Sequence, residues 1–113
     1  MRRNKKQLDT SIRLATNKQD KALAYYNLGV FHDNNSRELE AIPNYLEAIK
    51  LGLDDDTKAK ALAWLASSLY KTDKPKEGFE KLKQSQEIAT DKSLIKFLTG
   101  LEKRIKSKLS NVS

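Results

Sequence analysis

Cysteine is absent from this 113-residue chain, and histidine occurs once, at His32. Without cysteine there is no disulfide framework, no thiolate zinc site and no thiol nucleophile. One histidine leaves no imidazole cage for a metal and no histidine pair for acid–base work. Glycine (4) and proline (2) are scarce, too few to punctuate a turn-rich β fold. Long apolar runs are missing too: the longest, Ala61 to Ala66, has six residues and cannot span a bilayer. The opening Met1-Arg2-Arg3-Asn4-Lys5-Lys6-Gln7-Leu8 lacks the apolar stretch of a signal peptide, so a soluble, cytoplasmic protein is expected. Phosphate-binding glycine loops, nucleophile elbows, metal-ligand spacings and convergent acid pairs are also missing, which points to a non-enzymatic protein without cofactor or metal.

What the chain does contain is leucine and alanine, 16 and 10 residues, against 6 isoleucines and 2 valines. That balance favours helices over strands and predicts an all-α protein. The length fits one domain able to bury a core without a staple. The net charge of +7 is unevenly spread: residues 1–18 carry six basic and one acidic group, residues 91–113 six and two, and residues 19–90 ten and twelve. The basic excess sits on the two ends.

Helical periodicity runs through the sequence. A first helix over 5–16 places Leu8, Ile12 and Ala15 on one face. Asn17 is a candidate N-cap for a second helix reaching Asp33 through Tyr25, Leu28 and Phe31. Asn35, three residues before Glu38, has the spacing of a capping box for a third helix. That helix carries Ala41, Tyr45, Ala48 and Ile49 on one stripe and ends at Gly52, where a left-handed residue closes it. Pro43 falls within its first two turns, removing a hydrogen bond to the Leu39 carbonyl and predicting a bend. Asp54-Asp55-Asp56 reads as capping and dipole complementation of a fourth helix over 57–71, since the ligand spread of a calcium loop is missing. Leu62, Leu65, Ala66 and Leu69 form its seam, and Ala61 and Trp64 outside it predict a helix sandwiched between neighbours. Pro75 suits the first turn of a fifth helix carrying Phe79, Leu82 and Ile88. Asp91 caps a last helix with Leu94, Phe97, Leu98, Leu101 and Ile105.

Shifting the chain by 37 residues sets Tyr25 on Leu62, Leu28 on Leu65, Gly29 on Ala66, Ala41 on Gly78, Tyr45 on Leu82 and Ala48 on Ser85. Large residues meet large ones and small meet small, so one helix–turn–helix occurs twice. Tyr25-x-x-Leu28-Gly29 followed by Ala41-x-x-x-Tyr45-x-x-Ala48-Ile49 resembles the tetratricopeptide repeat, and the stretch from Glu40 to Leu53 looks like a short bacterial subfamily of it. The second copy keeps Leu65, Ala66, Gly78 and Leu82, has Ser85 for Ala48, and carries Leu69 where a tyrosine is usual and the first copy has His32. The resemblance covers residues 22–90. The last helix resembles helix A of a third repeat whose helix B is missing, suited to a solubilising cap.

The resemblance implies a right-handed α-solenoid of antiparallel helix pairs with flanking cap helices. The segments are 5–16, 18–53, 55–90 and 91–109 of one domain. Gly29 and Ala41 would let helices A and B approach, with Tyr45 and Ala48 filling the space against the next pair. It also implies a concave face of A helices that binds a peptide or partner helix. Carried onto this chain, that groove comprises Tyr26, Asn27, Val30 and Asp33, then Lys60 at its edge, Ala63, Trp64, Ser67, Tyr70 and Lys71. The alternative for Tyr26 and Trp64 is packing against flanking helices. Members that clamp a terminal carboxylate use paired Lys and Asn; here those places hold Tyr26 and Val30, so a chaperone-tail receptor is not expected. His32 beside Asp33 lacks a third group and reads as a packing or helix-end residue. Nucleic-acid binding through the basic end helices is the alternative function, although no aromatics interleave the basic stretches. The lysines and arginines of the two end helices favour a monomer or weak homodimer.

Overall fold

The computed structural model describes residues 4–111 and, among them, six helices and no strand. These are α1 (Lys5–Leu14), α2 (Lys18–Asn34), α3 (Glu38–Leu51), α4 (Asp55–Lys71), α5 (Pro75–Ile88) and α6 (Lys92–Ser110). They form two compact units that divide between Leu53 and Asp54.

The 37-residue period is kept to the residue. Lys18 and Asp55 open α2 and α4, Asn34 and Lys71 close them, Glu38 and Pro75 open α3 and α5, and Leu51 and Ile88 close those. Asn17 accepts the Asp20 amide at 2.8 Å, and 37 residues on Asp54 accepts the Thr57 amide at 2.8 Å. The only two non-glycine residues with positive φ among those described, Ser36 (57°) and Asp73 (65°), obey the same shift. Each closes its A helix in the same way: the Arg37 amide donates to the His32 carbonyl at 2.9 Å and the Lys74 amide to the Leu69 carbonyl at 2.8 Å. This is the six-to-one bond that satisfies a helix's last carbonyls when the next residue turns left-handed.

That turn corrects the expected capping box at Asn35. The α2 helix runs to Asn34, and the Asn35 side-chain amide donates back to the Phe31 carbonyl at 2.7 Å. Glu38 is consequently the first residue of α3, preceded by Arg37 with no side-chain cap. Gly52 does end α3 at positive φ (109°), but its ψ of 115° lies outside the left-handed helical basin and is open to glycine alone. Pro43 is exposed, and α3 continues through it.

The period also reaches the flanking helices. Leu14-Ala15-Thr16-Asn17-Lys18 and Ile88-Ala89-Thr90-Asp91-Lys92 lie 74 residues apart. Ala15 (φ −65°, ψ 125°) and Ala89 (φ −70°, ψ 131°) leave their helices in the same conformation. Asp91 then caps α6 on the Leu94 amide as Asn17 caps α2. So α1, α3 and α5 are B helices of one cycle, and α2, α4 and α6 its A helices.

In the N-terminal unit α3 packs on α2, burying Ala41, Tyr45 and Ala48 against a face that includes Leu28 and Gly29. A β-carbon added at Gly29 would stand 2.7 Å from two carbons of the Tyr45 ring. Tyr45 thus fills the space over Gly29 of its own pair, where the resemblance had implied filling against the next. In the C-terminal unit Ala59, Ala63 and Ala66 of α4, Leu82 of α5, and Leu94, Leu98, Leu101 and Ile105 of α6 form one core.

Candidate functional site

The side chains expected to line the groove divide between the two units. In the N-terminal unit Tyr26, Asn27, Val30 and Asp33 are all half-buried on α2. Tyr26 and Asp33 gather around Tyr45: the two tyrosine rings lie 6.2 Å apart at 50°, and the Tyr45 hydroxyl donates to an Asp33 carboxylate oxygen. Burial, then that bond and the Asp33 charge, push the Tyr45 hydroxyl well above the usual phenol range. It therefore stays a donor at any ordinary pH.

Asn27 and Val30 line a hollow of about 520 Å³ between α1 and α2, with Leu8 and Phe31 as apolar walls and Asn4, Asn34 and Asn35 at its margin. Asn27 is shared with a second hollow of about 320 Å³, lined by Ser11, Leu14, Ala15, Asp20, Leu23 and Ala24. Leu14 and Leu23 are 73% and 46% exposed there, unusual for leucines beside a cleft. The groove reading did not include Leu8, Leu14, Leu23 or Phe31. For Leu23 and Phe31 the signal was present as a second stripe on the second helix (positions 20, 23, 27, 30, 31 and 34), but its alternation of Asp, Leu and Asn hides it from an apolar-pattern search.

His32 is 3% exposed, and its Nδ1 stands 3.1 Å from Glu40 Oε2. The distance suits an ion pair, but the approach is not that of a directed hydrogen bond, and the atom has no hydrogen-bond partner. With its ring against Phe31 in an edge-on contact of 5.4 Å, His32 belongs to the packing of the helix end.

In the C-terminal unit α6 covers much of the corresponding face of α4. Ala63 is completely buried, so it belongs to the core and can touch no ligand. Trp64 meets Phe97 edge-on at 5.1 Å, which is the flanking-helix packing weighed against a groove role. Lys108 of α6 lies over the Tyr70 ring at 5.3 Å and pairs with Asp73 at 3.3 Å. Ser67 is half-buried, while Lys60 and Lys71 are exposed. Lys60 borders a hollow of about 240 Å³ with Asp56 and Asp91. Among the described residues no group of three histidine, aspartate or glutamate side chains is arranged to hold a metal.

Residues 22–102 match the model of the tetratrico peptide repeat. The chain belongs to the tetratricopeptide-repeat family. The match runs past the two helix pairs into α6, in keeping with its place as a third A helix. No curated protein and no solved structure matched the chain. Tetratricopeptide repeats serve in general as protein-interaction modules and are typically non-enzymatic scaffolds. No helix among the described residues is long and apolar enough to cross a membrane.

Proposed function

We propose that this tetratricopeptide-repeat chain is a cytoplasmic scaffold that binds a peptide or partner helix along its A helices. The observation that carries the reading is on α2. Asn27 and Val30 stand half-exposed in a hollow whose apolar walls and asparagine margin suit a chain with both side chains and backbone to satisfy, and Tyr26, packed on Tyr45, is half-exposed on the same helix. In the other unit Lys60, Ser67 and Lys71 are the side chains of α4 left to meet a partner, with the half-buried Trp64 and Tyr70 adding what their contacts with Phe97 and Lys108 leave exposed. Nucleic-acid binding by the basic ends has less behind it, because Lys5, Lys106 and Lys108 are engaged by Asp9, Glu102 and Asp73.

The test is capture from a lysate of the native cell, with the chain as bait and mass spectrometry as readout. A Tyr26→Ala/Val30→Glu bait that keeps its helicity should lose the proteins that the unaltered bait retains. Identical capture by both would refute the reading. Retention of RNA or DNA that weakens steeply with salt would favour the nucleic-acid reading instead.

A further inference from the structure

The repeat cycle shows what belongs in the cleft between a B helix and the A helix that follows it. In the C-terminal unit that cleft, between α5 and α6, is filled by α4. Leu82 and the leucines and isoleucine of α6 close on Ala59, Ala63 and Ala66 of α4. The Ser85 hydroxyl also donates to the Ala59 carbonyl at 2.7 Å. The N-terminal unit enters the cycle one helix later: α1 and α2 are the same B–A pair, and no described helix of that unit stands in its cleft.

The 74-residue shift carries Leu94, Phe97, Leu98, Leu101 and Ile105 onto Asp20, Leu23, Ala24, Asn27 and Phe31. It likewise carries Leu82 and Ser85 onto Leu8 and Ser11. All seven residues reached by the shift line the two hollows between α1 and α2. The hollows are thus the open counterpart of the seat that α4 fills.

We propose that this seat receives an amphipathic helix from another protein, bulky and apolar on its docking side and acidic on its flanks. The proposal rests on the partner-binding reading above and names the occupant. Size follows from complementarity. Alanines on α4 suffice against Leu98 and Leu101, but the seat on α2 presents Ala24 and Asn27, so only larger apolar side chains fill its 520 and 320 Å³. The Asn27 side chain, with no hydrogen-bond partner among the described residues, offers a donor and an acceptor at the junction of the two hollows.

Charge follows from the surroundings. Residues 4–24 carry five basic and two acidic groups, and Lys6, Lys18 and Lys21 are exposed without an ion-pair partner among the described residues. The same charge opposes a second copy. Among the described residues α6 is the A helix with no B helix after it; its stretch carries six basic and two acidic groups and would meet six basic and one acidic at the other end.

The experiment uses a synthetic peptide of residues 54–72 with Ala59, Ala63 and Ala66 changed to Leu, Leu65 and Leu69 (outside that face) to Gln, and Lys58, Lys60 and Lys71 to Glu. Binding to the full chain is followed by fluorescence anisotropy. We expect saturable binding that weakens with salt and falls about tenfold or more with Leu23→Asp or Asn27→Lys. Glu87→Gln, on the exposed side of α5, should leave binding unchanged. Circular dichroism verifies that each variant is folded, and Asn27→Lys, at a half-exposed site, serves if Leu23→Asp is not. Equal binding by Asn27→Lys and the unaltered chain would overturn the proposal, as would absence of peptide binding. Either result, with lysate capture still lost in the Tyr26/Val30 variant, would leave the broader reading standing. Sedimentation of the chain alone should show a monomer; a concentration-dependent dimer abolished by Asn27→Lys would place a second copy in the seat and overturn the acidic partner.

Discussion

Gly29 and Tyr45 show how one missing β-carbon sets the distance between two helices. Sequence reading identified Gly29 as a place of close approach, and the structure supplies the object that approaches. Gly29→Ala would drive a methyl to 2.7 Å from a fully buried ring. The ring cannot move freely, because its hydroxyl is tied to Asp33. We expect Gly29→Ala to cost about 1–3 kcal/mol, measured by urea unfolding, despite alanine's better helix propensity. No loss would mean that the α2–α3 pair yields more easily than close packing implies. His32 makes the opposite case. Its repeat equivalent is Leu69, equally buried, and its Nδ1 has no aligned hydrogen-bond partner. His32→Leu should therefore leave stability unchanged or raise it by up to about 1 kcal/mol, because a buried polar atom is removed. A clear loss in the same unfolding assay would show that the approach of Glu40 is a net attraction. The partner of His32 was not legible in the sequence: Asp33 is its chain neighbour, but helix geometry turns that residue toward Tyr45 and brings Glu40 across from α3.

At the scale of helices, the caps were largely written in the chain. Asn17, Asp54 and Asp91 each accept the amide three residues ahead, as short polar side chains at a helix start should. Asp54 is held below the usual carboxylate range by the Thr57 amide and then by the Thr57 hydroxyl. The left-handed turns were not legible: Ser36 is not a residue that announces positive φ, and Asp73, of a type that tolerates it, is as common at helix caps and ordinary turns. Ser36→Gly should stabilise the protein by about 0.5–1 kcal/mol, because relief of the positive φ outweighs the extra freedom of the unfolded chain. A lower thermal midpoint would contradict this.

The α5–α6 connection is tied by Glu102, which accepts from Gln86 at 2.8 Å, Lys106 at 2.9 Å and Lys83 at 3.0 Å. Those donors, Gln86 foremost, hold its carboxyl down to about 2 against an ordinary 4.5. A depressed carboxylate stabilises fully above its unfolded value and loses the effect as pH falls toward its folded one. The stability difference between the natural chain and Glu102→Gln should thus be largest above about pH 4.5 and shrink toward pH 2. A difference constant from pH 7 to pH 2.5 would show that the carboxylate's charge plays no part.

For the molecule as a whole, the sequence reading of α6 as a cap understated it. Four of the eight residues in the C-terminal core come from this helix. At about 1.5–3 kcal/mol for each buried side chain, its removal costs on the order of 6–12 kcal/mol, comparable to the stability of a small domain. A chain ending at Thr90 should lose the cooperative helical melt of the C-terminal unit in circular dichroism; an undiminished melt would show that the Ala59–Ala63–Ala66 face tolerates water. The same helix explains why the expected groove is unequal in the two units. It buries Ala63 and engages Trp64 and Tyr70, whereas Asn27 and Val30 of α2 face open hollows.

By itself the sequence determined the helical class, the repeat and its period, and most N-caps. These depend on local spacing: which residues recur every three or four positions, and which side chains reach an amide three residues ahead. Tertiary structure decided which stripe of each A helix is covered. That depends on the neighbour against which a stripe packs, and α2 and α4 carry related stripes whose neighbours differ. The leucines of α6 close over alanines in one unit, while in the other Leu14 and Leu23 remain in water beside a cleft of the same ancestry in the repeat.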